Sequence, residues 1–242
     1  MTKRLITPLL VAVGVIATAG AAYAAVTVSF SATAKPSKAN KPTGLYVNIR
    51  STDPAALQPP IMNRIVMKLP NGKFNSRMFP RCKLAKLQAR GPKGCSRRSR
   101  IGTGTGIGMA RPVVTDPVNG RLTLFNGARI GGRDTVLVYV FPDLGPTFVS
   151  VGKVKKRRGG YTLDFNIPPI KTLPNAPDAS VTYVKTKTPI KRVTKKRKGK
   201  RKKYYLIVAP RTCKGKWKGS GTFYFATGET KTVKISQRCK RR

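Results

Sequence analysis

The sequence predicts an all-β protein, an antiparallel β-sandwich built as one large unit or two packed ones, with at most one short helix. Two observations carry this expectation. Apolar residues alternate with polar ones at period two along most of the chain, and no window sustains the helical period over three turns. Clusters of Gly, Pro, Asn and Asp interrupt the alternation at modest spacing, as turns between short strands do.

Taken in order, the elements begin with a leader. Residues 1–24 end in Ala22-Tyr23-Ala24, the small-x-small pattern that precedes cleavage, and Lys3 and Arg4 stand ahead of an uncharged apolar run. They read as a signal peptide. The alternative is an uncleaved anchor, since Leu5 to Ala24 is just long enough to span a bilayer. No cysteine follows the cleavage site to take a lipid, and no later apolar run approaches membrane-spanning length. The mature chain, residues 25–242, is therefore expected to be secreted or envelope-associated, with ample length for a buried core.

Strand candidates follow as VTVSFSAT (26–33), GLYVNIR (44–50) and NRIVMKL (63–69), each alternating and each bounded by turn residues. CKLAKLQAR (82–90) is the one segment that reads as a short helix. RLTLFNG (121–127), TVLVYVF (135–141), TFVSVGK (147–153), YTLDFNI (161–167), VTYVKTK (181–187) and YYLIVAP (204–210) complete the strand series. The proline-rich IPPIKTLPNAPDAS (167–180) is a candidate boundary or crossover near 168–180, with a long loop as the plainer alternative.

CSRRSRIGTGTGIGMARP (95–112) invites a reading as a phosphate-binding loop, and its spacing refuses one. A dinucleotide fingerprint needs Gly-x-Gly-x-x-Gly and a P-loop needs Gly-x-x-x-x-Gly-Lys-Ser/Thr, each feeding a helix. Gly102, Gly104, Gly106 and Gly108 fall instead on one face of an extended strand, with Ile101, Thr103, Thr105, Ile107 and Met109 on the other. A bare glycine face lets another backbone or a large ring approach closely. No cofactor is implied.

Cys82, Cys95, Cys213 and Cys239 form an even set in an exported chain, so disulfides are expected. Three pairings are possible. Cys82 with Cys95 and Cys213 with Cys239 is preferred, because residues 214–238 read as a hairpin turning about Gly228 that brings the second pair together. A zinc site is refused by the absence of histidine and of any short Cys-x-x-Cys.

The run KLPNGKFNSRMFPRC…GPKGCSRRSRIGTGTG, followed by LTLFNG, APRTCKGKW and FYFATGET, resembles a set of uncharacterised exported, disulfide-containing proteins of actinobacteria. That resemblance spans most of the mature chain. It implies an exported β protein held by disulfides, and it supplies no activity.

Composition argues against catalysis. Without histidine the usual general base near neutral pH is missing. The carboxylates are seven, Asp53, Asp116, Asp134, Asp143, Asp164, Asp178 and Glu229, and none forms a spaced motif. A spatial pair able to cleave glycosides stays open as an alternative. TDPVNG offers only Asp116 and Asn119 where calcium wants several oxygens, and reads as a turn.

Charge is the dominant feature. Lys and Arg number 50, the net charge is +43, and +41 remains once Lys3 and Arg4 leave with the leader. The cations cluster in KVKKRRGG, with Lys155, Lys156, Arg157 and Arg158, and in the loop Lys191 to Lys203. That loop holds ten basic residues, Lys195, Lys196, Arg197, Lys198, Lys200, Arg201, Lys202 and Lys203 among them. Solvated turns that keep the protein soluble are the plain reading. A solubilising surface normally mixes both signs, however, and with a Debye length of about 8 Å only neighbouring charges act together. We therefore expect a non-enzymatic protein that binds anionic cell-wall polymer or lipid headgroups. A hydrolytic enzyme, carbohydrate-active for instance, is the second reading and an extracellular nucleic-acid binder the third. Non-specific nucleic-acid binding in vitro is expected from counterion release alone.

Overall fold

A computed structural model describes residues 26–56, 58–112, 114–171, 177–197 and 199–241. The leader of residues 1–24 lies outside the described residues. The alternating segments form strands β1 (Thr27–Lys35), β2 (Gly44–Thr52), β3 (Met62–Pro70) and the short β4 (Lys73–Phe74). The helical segment is α1 (Leu84–Arg90), and the glycine run is β5 (Arg100–Ala110). There follow β6 (Val114–Ile130), β7 (Arg133–Pro142), β8 (Phe148–Arg157), β9 (Gly160–Asn166) and β10 (Ser180–Thr188). The chain ends with β11 (Arg192–Arg197), β12 (Lys200–Tyr205), β13 (Ile207–Val208), β14 (Lys216–Phe225) and β15 (Thr230–Arg238).

Eleven strands make one sheet, in the order β1-β2-β10-β5-β6-β7-β8-β9-β3-β14-β15, and every neighbouring pair is antiparallel. An odd number of strands so paired leaves the first and last parallel, and at the seam they are: Lys38 and Lys240 form a parallel bridge. Gln237 of β15 reaches across, its Nε2 donating to Ala34 O and its Oε1 accepting from Ala34 N, each at 2.7 Å. One side-chain amide thus takes the place of a ladder bond. The expected sandwich is corrected to a single, nearly closed barrel. Strand twist coils a sheet of this size, and once it coils, its two edges can satisfy one another instead of needing a second sheet.

The period-two pattern then sorts side chains into the barrel and out of it. Phe30, Ile49, Ile65, Met67, Phe223 and Phe225 belong to one interior cluster, where the rings of Phe30 and Phe223 meet edge to face, with centroids 5.6 Å apart. Leu122, Leu124, Val136, Val154, Phe79 and Leu206 make a second. Outside the wall, Leu87 of α1 packs on Phe125 and Leu137 next to Cys82. The Cys82–Cys95 and Cys213–Cys239 disulfides both form, with Cα separations of 5.3 and 5.8 Å.

The glycine face of β5 does admit a neighbouring backbone. A Cβ on Gly104 would collide with the carbonyl oxygen of Lys185 in β10, and one on Gly102 with that of Lys187. The ring-approach version of the same device occurs elsewhere, where the Phe165 ring lies over Gly152. The strands on either side of the proline-rich segment, β9 and β10, belong to the same sheet.

YYLIVAP departs from its expected single strand. Tyr204 and Tyr205 end β12, Leu206 turns inward and is 1% exposed, and Ile207–Val208 pair with Phe74 and Lys73 as a separate ribbon. That ribbon and the segment before α1 cover one end of the barrel. Buried Asn126 holds the segment there, its Nδ2 donating to Ser76 O at 3.1 Å and Pro80 O at 3.0 Å.

Candidate polyanion-binding surface

Consecutive strands of the large sheet run in alternate directions, so successive connections emerge at opposite ends of the barrel. The end where β8, β10 and β15 finish carries the cations; we call it the basic end. Lys155, Lys156 and Arg157 close β8, and Arg158 with Gly159 makes the turn into β9, all exposed. Gly159 has φ +90°, a left-handed conformation that glycine adopts without strain.

Past β10 the chain builds β11 and β12 at this same end. Here the structure corrects an expectation, because Lys191 to Lys203 is largely a two-stranded ribbon rather than a loop. The ribbon stands apart from the barrel sheet. Period-two alternation is hidden in this run by lysine and arginine on both faces, which is why strand signals were silent. Lys195 lies opposite Lys202, Lys196 opposite Arg201 and Arg197 opposite Lys200. Lys198 lies outside the described residues.

Like charges directly opposite one another in a sheet are destabilising, and facing residues, about 5 Å apart at Cβ, sit within a Debye length. The ribbon therefore needs a firm foot, which the barrel supplies. Leu206 N donates to Lys191 O at 3.0 Å, Asn75 Nδ2 to Tyr205 O at 2.6 Å and Asn75 N to Leu206 O at 2.8 Å. Leu206 itself is packed into the second interior cluster. The foot of the ribbon is thus tied to the barrel interior.

Most of the carboxylates are elsewhere, the exception being Asp134 at the start of β7. Asp53, Asp116, Asp143, Asp178 and Glu229 lie at or beyond the strand ends opposite the basic end. Four of the seven are engaged by cations: Asp178 by Lys171 at 2.8 Å, Glu229 by Lys231 at 2.8 Å, Asp134 by Arg81 at 3.2 Å, and Asp164 by Arg64. Asp164 accepts from both Nε and Nη2 of Arg64 at 2.8 Å. That hydrogen bonding lowers the Asp164 pKa and raises that of Arg64, against the opposing effect of burial. Asp53 accepts from Ala55 N in a local turn. The ion pairs found among the described residues involve no cation of the β11–β12 ribbon.

This end-to-end segregation of charge was missed in the sequence, although a signal existed. Alternate connections differ in charge: 53–61, 142–147 and 226–229 hold the acids, while 155–159, 189–203 and 238–242 hold the cations. In an up-and-down sheet, alternate connections share an end. Among the described residues no group of three or more His, Cys, Asp or Glu is placed to hold a metal ion. No family model, curated protein or solved structure matches this chain.

Proposed function

We propose that the protein is exported and binds an anionic polymer or surface of the cell envelope through the basic end of its barrel, as a structural or adhesive component without catalysis of its own. The observation that carries this reading is the β11–β12 ribbon. In its outer half it opposes cations to cations, no ion pair found among the described residues relieves them, and it projects from the same end as the basic β8–β9 turn. A polyanion would relieve the repulsion by entering between neighbouring charges and releasing its own counterions. Anionic wall polymer and lipid headgroups are the partners an exported chain would meet. The two disulfides fit that oxidising setting. The carboxylates engaged by arginine and lysine weigh against the hydrolase reading, since a paired acid and base must face a substrate.

The test replaces Lys195, Lys196, Arg197, Lys198, Lys200, Arg201, Lys202 and Lys203 with Ser. The ribbon lies outside the barrel sheet, so the fold should survive. On duplex DNA as a model polyanion, each lost phosphate contact should flatten the slope of log affinity against log salt by about 0.9, and several such steps should go together. Retention on washed envelope fractions should fall in parallel. A folded variant that keeps the parent's salt slope and envelope retention would sink the proposal.

A further inference from the structure

The barrel is not filled. Between its packed clusters runs a cavity of about 290 Å³, walled almost entirely by inward side chains such as Ala32, Val47, Met67, Val138, Val140 and Leu163. Eight strands already suffice to enclose one small ligand, and eleven leave more room. Two bare positions widen it. Gly106 and Gly120 stand directly opposite each other in β5 and β6, and both line the cavity. A Cβ on either would meet nothing closer than 3.5 Å, unlike one on Gly104, so their bareness serves no close backbone contact.

At the basic end the cavity reaches Pro70, Gly72, Lys73, Tyr161, Trp217 and Lys218, and these six also line a second pocket of about 640 Å³. That pocket adds Lys156, Arg211, Lys214 and Lys216 to Lys73 and Lys218, all six of them exposed. No carboxylate lines either space. An apolar chamber therefore shares a wall with a chamber of cations.

We propose that this is a binding site for a single-chain anionic amphiphile, with its chain inside the barrel and its head among the lysines. An apolar cavity of this kind stays dry and takes up apolar matter. At about 30 Å³ for each water-sized or methylene-sized group, the volume suits a chain of about ten carbons. Lysines hold the head as point charges and do not demand one planar geometry, so a phosphate and a carboxylate head both satisfy the site. The site is separate from the β11–β12 ribbon and stands whether or not that ribbon binds a polymer.

Trp217, the chain's single tryptophan, lines both spaces and reports on either. Decyl phosphate, titrated below its micelle concentration into the full chain and into the ribbon-neutralised variant, should change Trp217 emission saturably in both, at one ligand per chain. Decanoate should behave alike, decanol should bind at least tenfold more weakly, and inorganic phosphate should leave the emission unchanged. Shortening the chain should weaken binding about fourfold per methylene. Lys73→Ser with Lys218→Ser should weaken decyl phosphate at least tenfold and leave decanol unchanged. Gly106→Leu, which fills the chamber, should weaken decyl phosphate and decanol together. The proposal is overturned if decyl phosphate binds the parent in many copies or independently of chain length, or if inorganic phosphate competes with it equally. The chain-length series needs no variant and decides the matter even if a substitution fails to fold.

Discussion

Gln237→Leu tests how much one side chain adds to the barrel seam beside the backbone bonds around Lys240. In the parent, the Gln237 amide donates to Ala34 O and accepts from Ala34 N, both at 2.7 Å, at a partly buried seam. Leucine keeps the volume and removes both partners. Leaving a buried donor or acceptor unpaired costs about 1 to 3 kcal/mol, so two such groups cost about 2 to 6. The new apolar side chain recovers about 1 to 2 kcal/mol by burial. At the middle of those ranges the expected net loss is about 2 to 3 kcal/mol, read as a lower midpoint in urea unfolding followed by Trp217 emission. Amide exchange supplies the local readout, because Ala34 N–H should lose protection while the amides of β6 and β7, in the middle of the sheet, lose only what the global change dictates. Gln237→Glu sharpens the argument. It keeps an acceptor for Ala34 N–H but sets a carboxylate against Ala34 O, so the folded state should hold this carboxyl's pKa above its unfolded value. Protonation restores a donor. Its deficit should therefore shrink as pH falls below that raised value and be greatest above it. An unchanged urea midpoint for Gln237→Leu, with Ala34 still protected, would refute the part given to the Gln237 amide in the seam.

Along the glycine face of β5, Gly104→Ala should destabilise by about 1 to 3 kcal/mol, as overpacking does, because the obstruction is the Lys185 backbone carbonyl and cannot turn aside. Gly106→Ala, whose Cβ would make only ordinary van der Waals contacts, should be neutral or stabilising by about 0.4 to 1 kcal/mol through the unfolded chain; equal destabilisation at the two positions in thermal melts would refute the division of that face. Asp164 has its pKa lowered by Arg64 from the ordinary 3.8, so its contribution is present above that value and is lost as pH falls through the lower folded value. Arg64 is about half exposed, which limits the pair to about 0.2 to 1 kcal/mol, and Asp164→Asn should remove that much at pH 7 and progressively less as pH falls below the ordinary carboxylate range in urea titrations.

By itself the sequence made most of the strands and the one short helix legible, and among three disulfide pairings it favoured the one that forms. These depend on signals carried within a few residues: period-two alternation at β1 or β7, turn residues such as those at Gly228, and a hairpin that brings Cys213 back to Cys239. It also refused the phosphate loop, because glycine spacing is a local property. Local pattern failed where its contrast vanished, at Lys191 to Lys203, since a strand with lysines on both faces alternates nothing. Tertiary structure alone decided that one sheet closes on itself. Alternation tells each strand that it has an inner and an outer face, and it is silent on whether the inner face meets another sheet or the far wall of a barrel. That choice rests on strand order, in which β10 enters between β2 and β5, and β9 pairs with β3, although long stretches of chain separate them. The seam at Gln237 and Ala34 joins residues 203 apart, a distance over which no periodicity carries information. The chamber lined by Gly106 and Gly120, and the lysines gathered at its end from β4, β8 and β14, exist only because closure brings those distant positions to one place.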